Sequence, residues 1–387
     1  MLPRFLKQSQ SSFSGAVKIA ILTKIAIALL AGSFVGSSIL TAIVRKSSLR
    51  TGFTSRPSAD RYNQVPVPLG GGIAIFTTLA FFIVSAIAVV LLLAVPGRLD
   101  WLGESVTVHI EGFLSKVSQL LIILICTGVL FATGLLDDKK HLSPFLKLAI
   151  QFAVAITAAI FADIRVEFFI ENRIITSVLS AFWIVLLINV FNFLDNMDGA
   201  SAGIAAITSS VLFVAAAQSG QVFIGGLTLV FVGTLLGFLV FNFPPAKIFM
   251  GDAGSFVIGF FVALITLRTT YYHLAGAGQW YAVFMPLIVM AVPLYDFISV
   301  TILRITQGKS PFVGDTQHFS HRLKRHGLTD TQTVLTLYLA TLCTALGATF
   351  LYQVNLLGAI LIFAQTFMIL TIIAVFESTV KNDRNTN

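Results

Sequence analysis

The chain has 387 residues, 56% hydrophobic and 11% charged, with a mean hydropathy of +0.91. Soluble domains carry about 25% charged residues, so this composition excludes an ordinary soluble domain. The net charge of +8 needs no nucleic-acid partner, because a basic excess on one side of a membrane accounts for it and also suits an anionic donor or a lipid phosphate.

Apolar runs of roughly 20 residues cross a bilayer, and such runs recur along nearly the whole sequence. Eleven spans are predicted, at 18–44, 70–95, 117–136, 145–162, 176–194, 199–217, 221–242, 254–274, 279–300, 332–352 and 354–376. The first is too long for a secretory peptide and lacks a short polar cleavage region. Cys126 and Cys343 lie inside apolar runs and are read as apolar fillers, neither a disulfide nor a metal pair. The predicted fold class is an all-α polytopic membrane protein. An amino-terminal tail occupies residues 1–17, a transmembrane catalytic domain 18–376, and a cytoplasmic carboxy-terminal tail 377–387.

Basic residues set the orientation. Arg45, Lys46, Arg50, Arg56, Arg61, Lys139, Lys140, Lys147, Lys247, Arg304, Lys309, Arg322, Lys324, Arg325, Lys381 and Arg384 are 16 residues that fall on one side of an eleven-span chain. On the other side Arg4, Lys7, Arg98, Lys116, Arg165 and Arg173 are nearly cancelled by Asp100, Glu104, Glu111, Asp163, Glu167 and Glu171. The first side is therefore read as cytoplasmic and the amino terminus as outside, and every conspicuous polar cluster falls in a short loop at a cytoplasmic span end.

The first cluster runs from Gly134 to Lys147 and holds Asp137 and Asp138 directly after span three. Adjacent carboxylates repel one another without a cation, and oxygen ligands suit Mg²⁺ held by one or two carboxylates plus substrate phosphates. A hydrophilic loop that merely ends the span is the alternative. The second is Asn189 to Gly199, where Asn189, Asn192, Asp195 and Asn196 share one helical face. Capping alone would explain Asp198, but not a polar stripe on an otherwise apolar helix.

The third cluster is Phe241 to Ser255, in which Gly251 and Gly254 flank Asp252. Asp252 reads either as an N-cap or as a metal ligand in a glycine-lined phosphate pocket, and Phe249 either as a packed anchor or as a base-stacking ring. The fourth, Gly314 to Gly327, gathers His318, His321 and His326 with Arg322 in a basic loop suited to phosphate. With no cysteine near, zinc fits it less well.

At these residues the sequence resembles the polyprenyl-phosphate N-acetylhexosamine-1-phosphate transferase family. Asp137, Asp138, Pro144 and Lys147 look like its aspartate motif, and Asn189, Asn192, Asp195, Asp198 and Gly199 like its asparagine–aspartate motif. Phe249 to Ser255 matches its phenylalanine–methionine–glycine–aspartate signature without change, and His318, His321, Arg322 and Leu323 look like its histidine loop. Pro66 to Gly72 resembles the family's proline and double-glycine approach to span two. Departures are Asn196 in place of a usual glycine, Ser320 in place of a common histidine, Ala200 and Ser201, and Arg61-Tyr62-Asn63-Gln64 before the proline–glycine motif.

The resemblance implies transfer of a sugar 1-phosphate, N-acetylglucosamine 1-phosphate for preference, from a UDP-sugar to undecaprenyl phosphate in a bacterial inner membrane. UMP leaves and a lipid-linked cell-envelope glycan is started. It implies Mg²⁺ as cofactor with Mn²⁺ as a substitute, and a homodimer among the partner states to be tested. Asp252 and Asp195 are the implied metal ligands. Asp137, Asp138, Asp195, His318 and His321 are implied in catalysis, with Asp137 as the base that activates the lipid phosphate. Direct attack by that phosphate and a covalent phospho-sugar intermediate on an aspartate are the two routes, and direct attack is preferred because placing both substrates around one metal avoids an extra charged intermediate. Lys147, Asn189, Asn192, Asp198, Phe249 and Arg322 are implied in holding the donor. The peptidoglycan branch that uses UDP-MurNAc-pentapeptide and a lipid-linked sugar transporter are the alternatives. The histidine loop looks closer to the surface-glycan or teichoic branch, and little polar material lies mid-span for a transport route.

Overall fold

A computed structural model describes residues 2–55, 66–166, 170–269, 280–310 and 318–379. Arg56, Arg61 to Gln64, Glu167, Gly314 to Gln317, Lys381, Arg384 and the end of the 254–274 span lie outside the described residues. Regular structure among the described residues is helical apart from one isolated antiparallel bridge, Thr54 to Pro68. Leaving aside short turns of helix such as Glu104–Thr107 and Ile110–Leu114, the helices are α1 Leu2–Thr51, α2 Gly71–Val89, α3 Val117–Lys140, α4 Pro144–Phe161, α5 Arg173–Leu194, α6 Ala200–Gln218 and α7 Val222–Asn242. They continue as α8 Asp252–Arg268, α9 Met285–Val289, α10 Ala291–Thr306, α11 Phe319–Arg325, α12 Asp330–Ala348 and α13 Leu356–Thr379. Among the described residues, nine helices are long and apolar enough to cross a membrane, or ten if the bent pair around Met290 counts as one span.

α8 is the axis of the bundle. Every residue from Ala253 to Thr266 is buried, as expected of a helix apolar all round, and α2, α3, α5 and α6 pack around it. Close approach is made by small residues, as is usual where lipid supplies no hydrophobic drive between helices. A Cβ on Gly259 would stand 2.5 Å from the Ile188 Cα, and one on Gly237 2.3 Å from the Phe34 carbonyl oxygen.

Polar side chains gather at the two ends of the bundle. Asp163, just past α4, receives Arg165 Nε at 2.7 Å and lies 3.5 Å from Arg268 Nη1 at the far end of α8. Asp137, Lys147 and Asp252 meet at the other end. Between these clusters α4 is about 27 Å long at 1.5 Å per residue, close to the roughly 30 Å of bilayer hydrocarbon.

The structure corrects the sequence reading in three places. Span three runs on to Lys140, so Asp137 and Asp138 lie in the last turn of α3 and not in a loop. The span expected at 279–300 is broken at Met290 with a bend of 61°, next to Pro293, whose missing N–H removes a helix hydrogen bond. The polar stripe on α5 is shared between two neighbours: Asn189 donates to Gln151 on α4 at 2.7 Å, whereas Asn192 turns to α8.

Candidate active site

The site begins where α3 stops. His141 takes a left-handed backbone (φ 49°), its N–H still bonded to the Asp137 carbonyl at 2.9 Å. Ser143 then caps α4 by accepting from the Leu146 N–H at 3.3 Å, with Pro144 in the first turn. This tight turn brings Lys147 back over the end of α3, and its Nζ donates to Asp137 Oδ2 at 3.0 Å and Asp252 Oδ2 at 3.4 Å. Asp137 Oδ1 accepts from the Leu142 N–H at 2.6 Å, and Asn192 Nδ2 donates to Asp252 Oδ1 and Ser255 Oγ, both at 3.0 Å. Two carboxylates from distant parts of the chain therefore share one ammonium.

Asp138 has a different place from its neighbour. Its Oδ1 accepts from the Asp252 N–H at 2.8 Å and its Oδ2 from the Ala253 N–H at 3.3 Å. It thus satisfies the opening donors of α8, where a helix terminus favours negative charge. The residue before that helix, Gly251, has φ 74° and offers no side-chain cap, so Asp252 is the first helical residue and leaves the capping to Asp138. The backbones nearly touch here: a Cβ on Gly134 would stand 2.4 Å from the Ala253 nitrogen, and one on Gly72 2.3 Å from the Gly254 nitrogen.

The motifs around Asp198, Asn242 and Phe249 are pinned to one another. Asp198 Oδ2 accepts from the Ala246 N–H at 2.8 Å. Asn242, buried, accepts from the Gly199 N–H at 3.0 Å and donates to the Ile248 carbonyl at 2.9 Å. The Phe249 N–H donates to the Pro68 carbonyl at 2.8 Å, and the Phe249 carbonyl accepts from the Gly71 N–H at 2.9 Å, so the proline–glycine motif backs this loop. The Phe249 residue itself is half-buried, and Asp195 sits half-buried at the C-cap of α5, one turn beyond Asn192.

The histidine helix is more enclosed than a basic loop suggests. His318 and His321 are both buried. His318 Nδ1 lies 3.1 Å from Asp296 Oδ2, and Arg322 Nη2 donates to Ser299 Oγ at 2.8 Å while standing 3.2 Å from Glu377 Oε1. Burial first, then His318, Lys324 and Arg325, push the His321 imidazole down to about 4, so at neutral pH it offers polar contact without charge. The unfolded group titrates near 6.5. Stability from its neutral burial is therefore present above about pH 6.5 and lost as pH falls toward 4. Thermal unfolding followed over that range should show a falling midpoint in the wild type and a shallower fall in His321→Gln. Equal slopes would contradict this placement.

Asp296, Asn242 and Gln151 carry much of this geometry and were not singled out in the sequence. The signal for Asp296 was a lone carboxylate in an apolar span, and such groups are usually functional. Nothing local marks Gln151.

The carboxylates of Asp137 and Asp252, brought together at Lys147, are oxygen ligands of the kind that suits a hard cation. Among the described residues no group of three or more His, Cys, Asp or Glu stands together to hold a metal. The protein thus offers a partial oxygen shell, which suits Mg²⁺ because that ion commonly completes its shell with water and substrate phosphate.

Comparison with known proteins agrees with this arrangement. Residues 120–270, which contain Asp137, Lys147, Asn192 and Asp252, match the model for glycosyl transferase family 4. A probable undecaprenyl-phosphate N-acetylglucosaminyl 1-phosphate transferase of Bacillus subtilis (strain 168) is 28% identical over 344 residues, covering 87% of each chain. The undecaprenyl-phosphate alpha-N-acetylglucosaminyl 1-phosphate transferase of Escherichia coli (strain K12) is 26% identical, covering 79% of this chain and 78% of its own. That of Salmonella typhi is 26% identical, covering 83% and 82%. With the helical bundle and the acidic site at its end, these comparisons make the chain similar to glycosyl transferase family 4 over residues 120–270 and to undecaprenyl-phosphate N-acetylglucosaminyl 1-phosphate transferases over most of its length.

Proposed function

We propose that this protein transfers N-acetylglucosamine 1-phosphate from its UDP-sugar to undecaprenyl phosphate, releasing UMP and starting a lipid-linked cell-envelope glycan in a bacterial inner membrane. The observation that carries the reading is the meeting of Asp137, Lys147, Asn192 and Asp252 at one end of an apolar bundle. The names of the similar proteins support the undecaprenyl phosphate acceptor and N-acetylglucosamine 1-phosphate as the group transferred.

In this reading an oxygen of the lipid phosphate attacks the sugar-bearing phosphorus of the donor, and the bond from that phosphorus to UMP breaks. Asp137 accepts the proton if the lipid phosphate arrives protonated. Lys147 keeps Asp137 and Asp252 facing the same space and adds positive charge beside the reacting phosphates. Asn192 fixes the Asp252 carboxylate, and Asp138 fixes the start of α8 that carries it. Asp252 would hold Mg²⁺, with Asp137 beside it across Lys147 and Asp195 as the second ligand that the resemblance implies; the ion when bound would neutralise charge on the donor diphosphate. Phosphoryl transfer depends chiefly on such positioning and neutralisation.

The test is UMP release by the purified protein with polyprenyl phosphate over a panel of UDP-sugars. UDP-N-acetylglucosamine should be the best donor, a chelator should stop release, and added Mg²⁺ should restore it, with Mn²⁺ as a substitute. No UMP from any donor would overturn the reading.

We also read eleven spans, namely the nine long helices, the bent pair and α8, with the amino terminus outside. Cysteines near His141 and Lys247 should then be labelled from the cytoplasm and one near Glu171 from outside. Labelling of all three from one side would contradict it.

A further inference from the structure

Asp296 belongs to none of the motifs above, yet it is among the most enclosed carboxylates in the protein, at 2% exposure. It lies on α10, just beyond the break at Met290, and both of its oxygens are directed at the histidine helix. Oδ1 accepts from the Phe319 N–H at 2.6 Å, at the opening of α11, and Oδ2 lies 3.1 Å from His318 Nδ1. The other ring nitrogen, Nε2, faces Arg304 Nη2 at 3.4 Å. A guanidinium only donates, so Nε2 presents its lone pair to Arg304 and Nδ1 carries the hydrogen given to Asp296. Both nitrogens of His318 are thereby committed within the fold.

The arrangement reaches the acidic site through α5. Arg304 lies over the Phe193 ring at 4.8 Å, and the same ring meets His318 edge-on at 5.7 Å. Phe193 follows Asn192, the residue that holds Asp252. One residue beyond Phe319, Ser320 Oγ donates to Asn196 Oδ1 at 2.5 Å, which ties the histidine helix to the turn bearing Asp195 and Asp198. A buried carboxylate is costly unless it is paired and hydrogen-bonded. Here His318 and Arg322, the latter 4.0 Å away, face it, and Tyr295, His321 and the acidic Glu377 stand close enough to interact with its charge.

We propose that Asp296 is a positioning residue for the transfer reaction, acting through His318 to hold the histidine helix against the donor-binding turn of α5. This inference rests on the transfer reading above. Asp296 touches neither substrate in this account. It sets the ring orientation of His318, and the Ser320–Asn196 contact carries that alignment to the turn.

The experiment compares full-length wild type, Asp296→Asn, His318→Gln and the double variant by initial rates of UMP release with UDP-N-acetylglucosamine, polyprenyl phosphate and Mg²⁺. The Asp296→Asn change keeps an acceptor for the Phe319 N–H but removes the anion facing His318. Its kcat should fall about 10- to 100-fold with donor KM within about threefold, as for a lost alignment felt mainly in the transition state. The double variant should be no slower than His318→Gln alone, because residues acting as one unit are not additive. An inactive wild type overturns the transfer reading together with this inference. An active wild type with unaffected Asp296→Asn, or with additive losses, overturns this inference alone. Should Asp296→Asn fail to fold, nitrogen-15 spectra of the wild-type histidines decide, the His318 signal being the one absent from His318→Gln. The hydrogen is expected on Nδ1, and its presence on Nε2 instead would overturn the proposal.

Discussion

Asp252→Asn should fold normally and lose sugar-phosphate transfer by roughly two to three orders of magnitude, the usual cost of removing one preorganised electrostatic group. The structure makes this a sharp test, because the Asp252 side chain does not cap its own helix. The opening donors of α8 are its backbone N–H groups, and Asp138 receives them whatever side chain stands at 252. Asparagine keeps the size and an oxygen for Asn192, so what disappears is the negative charge beside Lys147. Asp137→Asn should also stop turnover while sparing more of the Mg²⁺-dependent donor binding, since its proposed task is on the lipid phosphate. Initial rates over a Mg²⁺ titration, with donor binding measured in parallel, separate the two. Near-normal turnover in Asp252→Asn would reduce that residue to an ion-pair partner of Lys147.

Gly134→Ala, a change of one methyl group, should cost about 100-fold in kcat, the loss that a displacement of about 1 Å at a reacting centre can cause. The new Cβ would stand 2.4 Å from the Ala253 nitrogen and 2.5 Å from its Cα, so the end of α3 must move away from the start of α8. That movement separates Asp138 from the N–H groups it receives and Asp137 from the Lys147–Asp252 pair. Gly128→Ala on the same helix is the control, since its added Cβ meets only the Phe76 ring at 3.8 Å. Alanine there is expected to be neutral or mildly stabilising. Equal rates for the two variants would show that the contact between α3 and α8 does not align the site.

Helix positions were legible because an apolar run of span length carries its own signal. The ends of α2, α4, α6 and α7 lie close to the expected bounds, with α2 passing into a short π-helical turn before its span finishes. Asp137, Lys147, Asn192 and Asp252 were legible as a set through their motifs, and the structure brings them together. What each polar group bonds to was not legible. That Asp138 serves the start of a helix 114 residues away depends on how α3 packs against α8, which no local periodicity encodes. Asn189 shares the helical stripe of Asn192, yet a modest rotation around α5 turns it to Gln151 on α4. His318 and Arg322 read as phosphate binders in a basic loop because their partners Asp296 and Glu377 are not adjacent in sequence, Glu377 falling in a segment read as a tail. Asn196 and Ser320 were each read as an isolated departure from the family pattern, and their direct contact becomes visible only when α5 and α11 are placed side by side.

The central claim, that a sugar leaves the donor with its phosphate, is tested most directly by the fate of that phosphate. The wild-type protein with Mg²⁺, undecaprenyl phosphate and UDP-N-acetylglucosamine labelled only in the sugar-bearing phosphate should place the label in a lipid extract and release unlabelled UMP in equal amount. Label left in water-soluble UDP, with unlabelled sugar on the lipid, would mean transfer of the sugar alone and would contradict the account.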